Sequence, residues 1–174
     1  MGRHSYLIAM GSNRWGRGGG PRAVVANWGL ANWGQSPIST ELIGDSPQLV
    51  ILVASRVHTT APIGPGTRSY ANTVALIETD LPPLALLAHL KSIERAHGRR
   101  PGRRWGDRPL DLDIIGWSGG LWKSRALGIP HPAFRTRRFV LAPLAEIAPD
   151  WRDPLTHLTA QHLLARLDRK RPRA

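Results

Sequence analysis

The sequence contains no cysteine among its 174 residues. This absence excludes a disulfide scaffold, a thiol nucleophile and any metal site built from thiolates. Long hydrophobic runs are missing too, because apolar stretches such as 49–54 and 84–88 are far shorter than the roughly 20 residues of a transmembrane helix. The apolar segment near the N-terminus is too short for a signal peptide and lacks its small-residue cleavage site. We therefore expect a cytoplasmic protein with no membrane-spanning segment.

Acidic residues are scarce. Twelve Asp and Glu stand against twenty-four Lys and Arg, which gives a formal net charge of +12. This balance predicts an anionic partner, whether a nucleic acid, a membrane surface or a phosphorylated small molecule. Only three of the basic residues are lysines, and arginine is the side chain suited to bidentate contacts with phosphate. A genomic bias towards arginine would also explain the scattered arginines.

The composition favours one folded domain. Hydrophobic residues make up 41% of the chain and charged residues 21%, which excludes a chain that is disordered throughout. No internal repeat or linker divides the sequence, and its length suits a single domain. We predict one domain over residues 1–174, with a basic tail that frays from about residue 168.

Hydrophobic periodicity predicts alternating strands and helices. The order β-α-β-β-α-β favours an α+β fold, a ferredoxin-like sandwich in which helices pack on an antiparallel sheet. Segments 121–129 and 137–147 carry weaker signals that assign no element type. The predicted strands are 5–10, 48–59, 72–79 and 109–117, and the predicted helices are 23–33, 81–97 and 159–167.

Two aspartates, Asp111 and Asp113, alternate with apolar residues in the last predicted strand. Because side chains alternate along a strand, both carboxylates share one face, about 7 Å apart. Aspartate is disfavoured in strands, and two carboxylates on one face repel each other unless a cation lies between them. A hard divalent ion, or a pair of ions, would satisfy both carboxylates. The alternative is a sheet face that is simply solvated.

A basic loop precedes this strand, with five arginines and Trp105 between residues 99 and 108. Its arginines could hold the oxygens of a triphosphate while the two carboxylates hold a bridging Mg²⁺. Downstream, His131, Arg135, Arg137 and Arg138 add further donors. The loop could instead follow a nucleic-acid backbone, with Trp105 stacked on a base. A basic nucleic-acid-binding module is therefore the alternative function, although carboxylates facing a phosphate backbone would repel it.

Several motifs together resemble a known family. The stretch 104–115, RWGDRPLDLDII, closely resembles the signature of the 6-hydroxymethyl-7,8-dihydropterin pyrophosphokinases of folate biosynthesis. Residues 9–13, 60–65 with 70–72, and 129–149 resemble the family's first strand, its pterin-binding loop and its C-terminal block. The resemblance implies transfer of a pyrophosphoryl group from ATP to the pterin hydroxymethyl group, with release of AMP. It also implies two Mg²⁺ ions and ATP as co-substrate.

The same resemblance implies residue roles. Asp111 and Asp113 would bind the metals, and Tyr70 and Phe139 would sandwich the pterin while Asn72 reads its edge. Flat heterocycles stack well on aromatic rings, and an amide offers both donors and acceptors. We expect a monomer whose partners are ATP and 6-hydroxymethyl-7,8-dihydropterin, and neither a membrane nor a nucleic acid. The implied catalytic residues are Asp111, Asp113, Arg99 and Arg108; the ATP contacts are Lys91, Glu94, Arg104, Trp105, Ile114, His131 and Arg137; and the pterin contacts are Thr60, Pro62, Ile63, Tyr70, Asn72 and Phe139.

Overall fold

An antiparallel sheet forms the centre of the molecule. The computed structural model describes residues 2–13, 20–23, 49–61, 69–98 and 110–169. The strands of the main sheet lie in the order β2–β4–β1–β5, and β3 pairs with β4 beyond the end of β2. These strands are β1 (His4–Ser12), β2 (Val50–Ala54), β3 (His58–Thr60), β4 (Tyr70–Thr79) and β5 (Asp111–Trp117).

Strand β1 lies between β4 and β5, antiparallel to both. Its neighbours on the sheet are therefore distant in sequence, which is the strand order of a split β-α-β fold. The α+β, ferredoxin-like prediction is confirmed. Neighbouring residues of β1, such as Leu7 and Ile8, are both buried because the sheet is covered on its two faces.

Helices cover both faces of the sheet. Helix α1 (Pro83–Ala96) begins at a proline pair and ends before Gly98, whose φ of +89° suits glycine. It packs on one face through Leu86 and Leu90. Helices α2 (Arg138–Ile147) and α3 (Ala160–Arg169) pack on the other. None of the helices in the described part of the chain is long and apolar enough to cross a membrane.

The strand predicted at 48–59 is divided into β2 and β3. The Ser55 N–H donates to the Val74 carbonyl, but the Val74 N–H donates to the Ser55 hydroxyl, at 3.2 Å, instead of to a backbone carbonyl. The same hydroxyl lies 2.8 Å from that of Thr73. A side chain thus takes the position of a backbone acceptor, and the regular ladder stops there.

The weaker segments are assigned by the structure. Segment 121–129 forms a small ribbon of β6 (Trp122–Lys123) and β7 (Gly128–Ile129), and segment 137–147 contains α2. Helix α3 extends through Arg169, two residues into the tail that was expected to fray. Asp168 in its last turn accepts a 2.8 Å hydrogen bond from Arg138. The helix predicted at 23–33 falls almost wholly outside the described residues.

Candidate active site

One row of residues crosses the sheet where β1 ends. Asn72 on β4, Gly11 on β1 and Asp111 on β5 lie opposite one another in the strand pairing, so their side-chain positions share a face. Gly11 has no side chain, and a Cβ built there would lie 3.4 Å from Asn72 Oδ1. Within the described ranges, Asn72 is thus the only residue beyond the chain neighbours of Gly11 that lies within 4 Å of that position, and Asn72 and Asp111 are about 10 Å apart at the backbone by two strand spacings.

Asp111 and Asp113 project from β5 on the same face, as the alternation predicted. Both are half-buried, whereas Leu112 between them is buried in the core beneath α1. Asp113 lies opposite Ala9 on β1, two residues along the strand from Gly11 and on the same face. The β1 residues paired with the two aspartates are thus both small.

Two side chains of α1 bind the outer edge of β5 at Leu112. Glu94 is 1% exposed, and its Oε1 accepts the Leu112 N–H at 2.8 Å. Lys91 Nζ donates to the same Oε1 at 2.6 Å and to the Leu112 carbonyl at 3.3 Å. The pair therefore satisfies both backbone groups of the residue between the two aspartates, as a neighbouring strand would, and fixes the strand that carries them.

His131 and Arg137 face Asp113. His131 Nε2 lies 3.9 Å and Arg137 Nη1 3.8 Å from Asp113 Oδ2. The Ala133 N–H donates to His131 Nδ1 at 3.2 Å, which places the proton of the neutral ring on Nε2, towards the carboxylate. Burial lowers the pKa of His131 below its ordinary value, and the charge of Asp113 does not cancel this effect. A neutral imidazole donor and a guanidinium thus flank the aspartate.

The other end of the row carries polar and aromatic groups. Asn72 Nδ2 donates to Thr60 Oγ1 at 2.9 Å, so β3 orients the amide. Tyr70, two residues before Asn72, shares its face of the sheet. Phe139, in the first turn of α2, packs partly buried on this face, with the Arg137 guanidinium 5.7 Å from its ring centre.

The predicted residues are only partly brought together. Lys91 and Glu94 lie at the outer edge of β5, and the Ile114 side chain is buried in the core on the opposite face. Arg99, Arg104, Trp105, Arg108, Pro62 and Ile63 lie outside the described residues. The residues that lie on the side of the sheet covered by α2 and α3 are Thr60, Tyr70, Asn72, Asp111, Asp113, His131, Arg137 and Phe139.

Gly11 is a contributor that the sequence reasoning did not single out. Its neighbours in sequence mark only the end of a strand, and its importance comes from the two strands paired on either side of it. A glycine within a strand can mark a close approach of a ligand, which is the signal that could have identified it.

Comparisons with known proteins show which family and which relatives the chain is similar to. The model of the family described as 7,8-dihydro-6-hydroxymethylpterin-pyrophosphokinase (HPPK) matches residues 7–149. The 2-amino-4-hydroxy-6-hydroxymethyldihydropteridine pyrophosphokinase of Haemophilus influenzae is 44% identical over 101 residues, which are 58% of this chain and 63% of that protein. The protein of the same name from Synechocystis sp. is 36% identical over 138 residues, which are 76% of this chain and 71% of the relative.

The fold has a counterpart among solved structures. The crystal structure of Plasmodium falciparum HPPK-DHPS aligns with a TM-score of 0.65 at 11% identity, covering 95% of this chain and 43% of that one. The chain thus spans less than half of that protein and less than two thirds of the Haemophilus influenzae relative.

Proposed function

The chain belongs to the 7,8-dihydro-6-hydroxymethylpterin-pyrophosphokinase family, and on this premise we propose its reaction. It transfers a pyrophosphoryl group from ATP to the hydroxymethyl group of 6-hydroxymethyl-7,8-dihydropterin and releases AMP, as a step of folate biosynthesis. The row Asn72–Gly11–Asp111 carries the proposal, because it sets a group able to read a heterocycle edge beside a pair of carboxylates.

The carboxylates fit Mg²⁺ that arrives with a nucleotide. In the described ranges, no group of three His, Cys, Asp or Glu side chains could hold a metal ion alone. Mg²⁺ characteristically binds through one or two carboxylates and takes other ligands from water and substrate phosphates. Asp111 and Asp113 therefore suit the proposed ions, two in number, with ATP completing the coordination. When bound, Mg²⁺ would neutralise phosphate charge and favour ionisation of the attacking hydroxyl.

The protein's own groups position the reactants. Arg137 and the Nε2–H of His131 point towards Asp113, where they can donate to phosphate oxygens beside the carboxylate. Arg99, Arg104 and Arg108 remain predicted phosphate contacts, and Trp105 a predicted contact of the nucleotide. Transfer of this kind mainly requires alignment and charge neutralisation, so no covalent enzyme intermediate is needed.

The pterin occupies the other end of the row in this proposal. Asn72 Oδ1 faces the space above Gly11, where it can accept a hydrogen bond from a pterin edge. Phe139 and Tyr70 supply the stacking faces, and Thr60 holds the Asn72 amide in one orientation. The backbone near Pro62 and Ile63 is predicted to read the remaining edge.

The direct test is product identity. We expect AMP rather than ADP when the protein is incubated with ATP, Mg²⁺ and 6-hydroxymethyl-7,8-dihydropterin. Reactions without pterin, and with a chelator of divalent ions, are the controls and should yield no AMP. The appearance of ADP, or salt-sensitive nucleic-acid binding without any AMP, would overturn the proposal.

We extend the proposal to a monomer that works in the cytoplasm. The lack of cysteine is compatible with a reducing compartment. Sedimentation at the concentrations used for the assay tests the monomer, and a stable dimer would refute it.

A further inference from the structure

Glu146, in the last turn of α2, binds the segment that joins β2 to β3. One carboxylate oxygen accepts the Arg56 N–H at 2.9 Å. The other lies 2.8 Å from His58 Nε2 and 3.2 Å from Arg56 Nε. A single side chain that is 32% exposed thus holds a backbone group, an imidazole and a guanidinium from one short segment.

This segment leads directly to the pterin end of the row. His58 is paired with Asn72 across β3 and β4, and Thr60 accepts the hydrogen bond that orients the Asn72 amide. A strand of only three residues carries both positions. Because so short a strand has few ladder hydrogen bonds, a contact at its beginning has a large share in fixing it.

Helix α2 borders the same end of the row. Phe139 lies in its first turn and Glu146 in its last, and the helix contacts both β3 and β4. The Glu146 contacts therefore join the element that bears the proposed stacking ring to the strand that orients the proposed edge-reading amide. Since a helix is nearly rigid over ten residues, fixing one end to β3 also fixes the position of Phe139.

The Glu146 carboxylate is held in its ionised form, which accepts the hydrogen bonds of this segment. Burial alone would raise its pKa, but hydrogen bonds from the Arg56 N–H and His58, with the positive charges beside it, hold the pKa of Glu146 below its usual value. The group stays ionised at neutral pH and keeps its acceptors.

We propose that Glu146 is a positioning residue for the pterin, which holds β3 against α2 and so sets the spacing between Phe139 and Asn72. His58 and the Arg56 N–H are its partners in this role. The inference rests on the proposed function for the identity of the ligand, but the contacts themselves can be tested independently.

The experiment compares Glu146→Ala and Glu146→Gln with a matched control, Glu78→Ala. Glu78 lies near the far end of β4, is 30% exposed and pairs with Arg3. Each protein is titrated with pterin in the presence of Mg²⁺ and a non-hydrolysable ATP analogue, and separately with the analogue. Amide hydrogen exchange at residues 56–60 and melting temperature are measured on the same samples.

We expect Glu146→Ala to weaken pterin binding about tenfold, the scale of a lost charge-assisted hydrogen bond, with the analogue's Kd changed by less than about twofold. The Arg56 amide should exchange faster. Glu146→Gln should show a smaller loss, because its amide oxygen can still accept the Arg56 N–H, and Glu78→Ala should show none.

Equal weakening of both ligands, or unchanged pterin binding, would overturn the positioning role. If Glu146→Ala does not fold, Glu146→Gln must still show selective weakening for the role to stand. A wild-type protein that forms no AMP would refute the proposed function instead, and exchange at the Arg56 amide would still decide whether Glu146 holds this segment.

Discussion

Arg135 and Arg137 are two residues apart in the chain but form different kinds of ion pair. Arg135 grips Asp153, which is 0% exposed, through two hydrogen bonds of 2.7 and 2.5 Å, and Thr156 donates to the same carboxylate. Arg137 lies 3.8 Å from Asp113, which is 31% exposed and has His131 at 3.9 Å. The first pair is buried and hydrogen-bonded, and is here termed closed. The second is partly exposed and beyond hydrogen-bond distance, and is termed open.

The aromatic neighbours follow the same division. Arg135 lies 4.6 Å from the ring centre of Phe134, a fully buried residue, and Arg137 lies 5.7 Å from that of the half-buried Phe139. Closed contacts use the hydrogen-bonding capacity of a charge within the protein. Open ones hold opposite charges close together and keep that capacity for a ligand. We infer that one short segment stabilises the fold with Arg135 and presents Arg137 to the site.

The largest expected effect comes from breaking the closed pair. Asp153→Asn leaves the Arg135 charge without its counter-ion in a mostly buried setting, and we expect a loss of about 3–5 kcal/mol in the free energy of unfolding. Chemical denaturation measures it. A loss below about 1 kcal/mol would show that the pair is not the stabilising one.

The dependence of the free energy of unfolding on pH, measured in the acidic range, provides the control for this variant. Burial raises the pKa of Asp153, but the hydrogen bonds from Arg135, Thr156 and the Leu155 N–H lower it overall. A pKa lower in the folded than in the unfolded state means that the contribution is complete above the unfolded value and is lost as pH falls through the folded value. The wild-type protein should lose stability in that acidic range, and Asp153→Asn should show a flatter profile there.

The open pair should respond in activity rather than stability. Asp113→Ala removes a carboxylate proposed to neutralise charge during transfer, and we expect a cost of about 3–4 kcal/mol in kcat/KM with a nearly unchanged melting temperature. Asp80→Ala, exposed in the turn after β4 at the far end of the sheet, is the matched control. A variant that kept more than about a tenth of wild-type turnover at saturating Mg²⁺ would contradict the metal assignment.

The two phenylalanines sharpen the contrast further. Phe139→Ala should weaken pterin binding by about 1–3 kcal/mol, the scale of base–aromatic stacking, and leave Mg²⁺-ATP binding nearly unchanged. Phe134→Ala should instead lower the free energy of unfolding by about 3–5 kcal/mol without ligand selectivity. Separate ligand titrations and melting curves of both variants test this. If Phe139→Ala behaved like Phe134→Ala, the Phe139 side chain would be part of the core and not of the pterin site.

The smallest effect is expected at the edge of β5. Glu94→Gln keeps an acceptor for the Leu112 N–H but loses the charge opposite Lys91, at a cost of about 1 kcal/mol in unfolding free energy. Faster exchange of the Leu112 amide, measured without nucleotide, would show that the pair holds the strand. Unchanged exchange together with weaker ATP binding would return Glu94 to the nucleotide contacts that the resemblance implied.

Local sequence patterns were sufficient to predict some features of the fold and the candidate site, but not the contacts between distant segments. The shared face of Asp111 and Asp113 follows from strand alternation, which the backbone imposes wherever the strand lies. The partners of Leu112 are 18 and 21 residues away, and no spacing rule connects a helix side chain with a particular backbone group of a strand. Family motifs predicted the segments of the candidate site, but the contacts of Glu146 depend on how α2 packs.

Helix α2 shows a second limit. Its sequence contains Pro143, which discourages a helix prediction, and the helix is nevertheless formed because Val140, Leu141 and Leu144 are buried against the sheet. The division at Ser55 is similar, since only the fold brings its hydroxyl to Val74. In both places tertiary contacts outweigh local preference.

The binding of Leu112 by Lys91 and Glu94 has a consequence for association between molecules. Strand β5 ends the main sheet, and an end strand offers unpaired backbone groups to which a strand of another chain can add, a route to aggregation. Here the Leu112 N–H and carbonyl are taken by helix side chains, and the Ile115 carbonyl accepts the His131 N–H at 3.2 Å. The two carboxylates proposed to hold Mg²⁺ therefore lie on a border strand of which these three backbone groups are not available to an added strand.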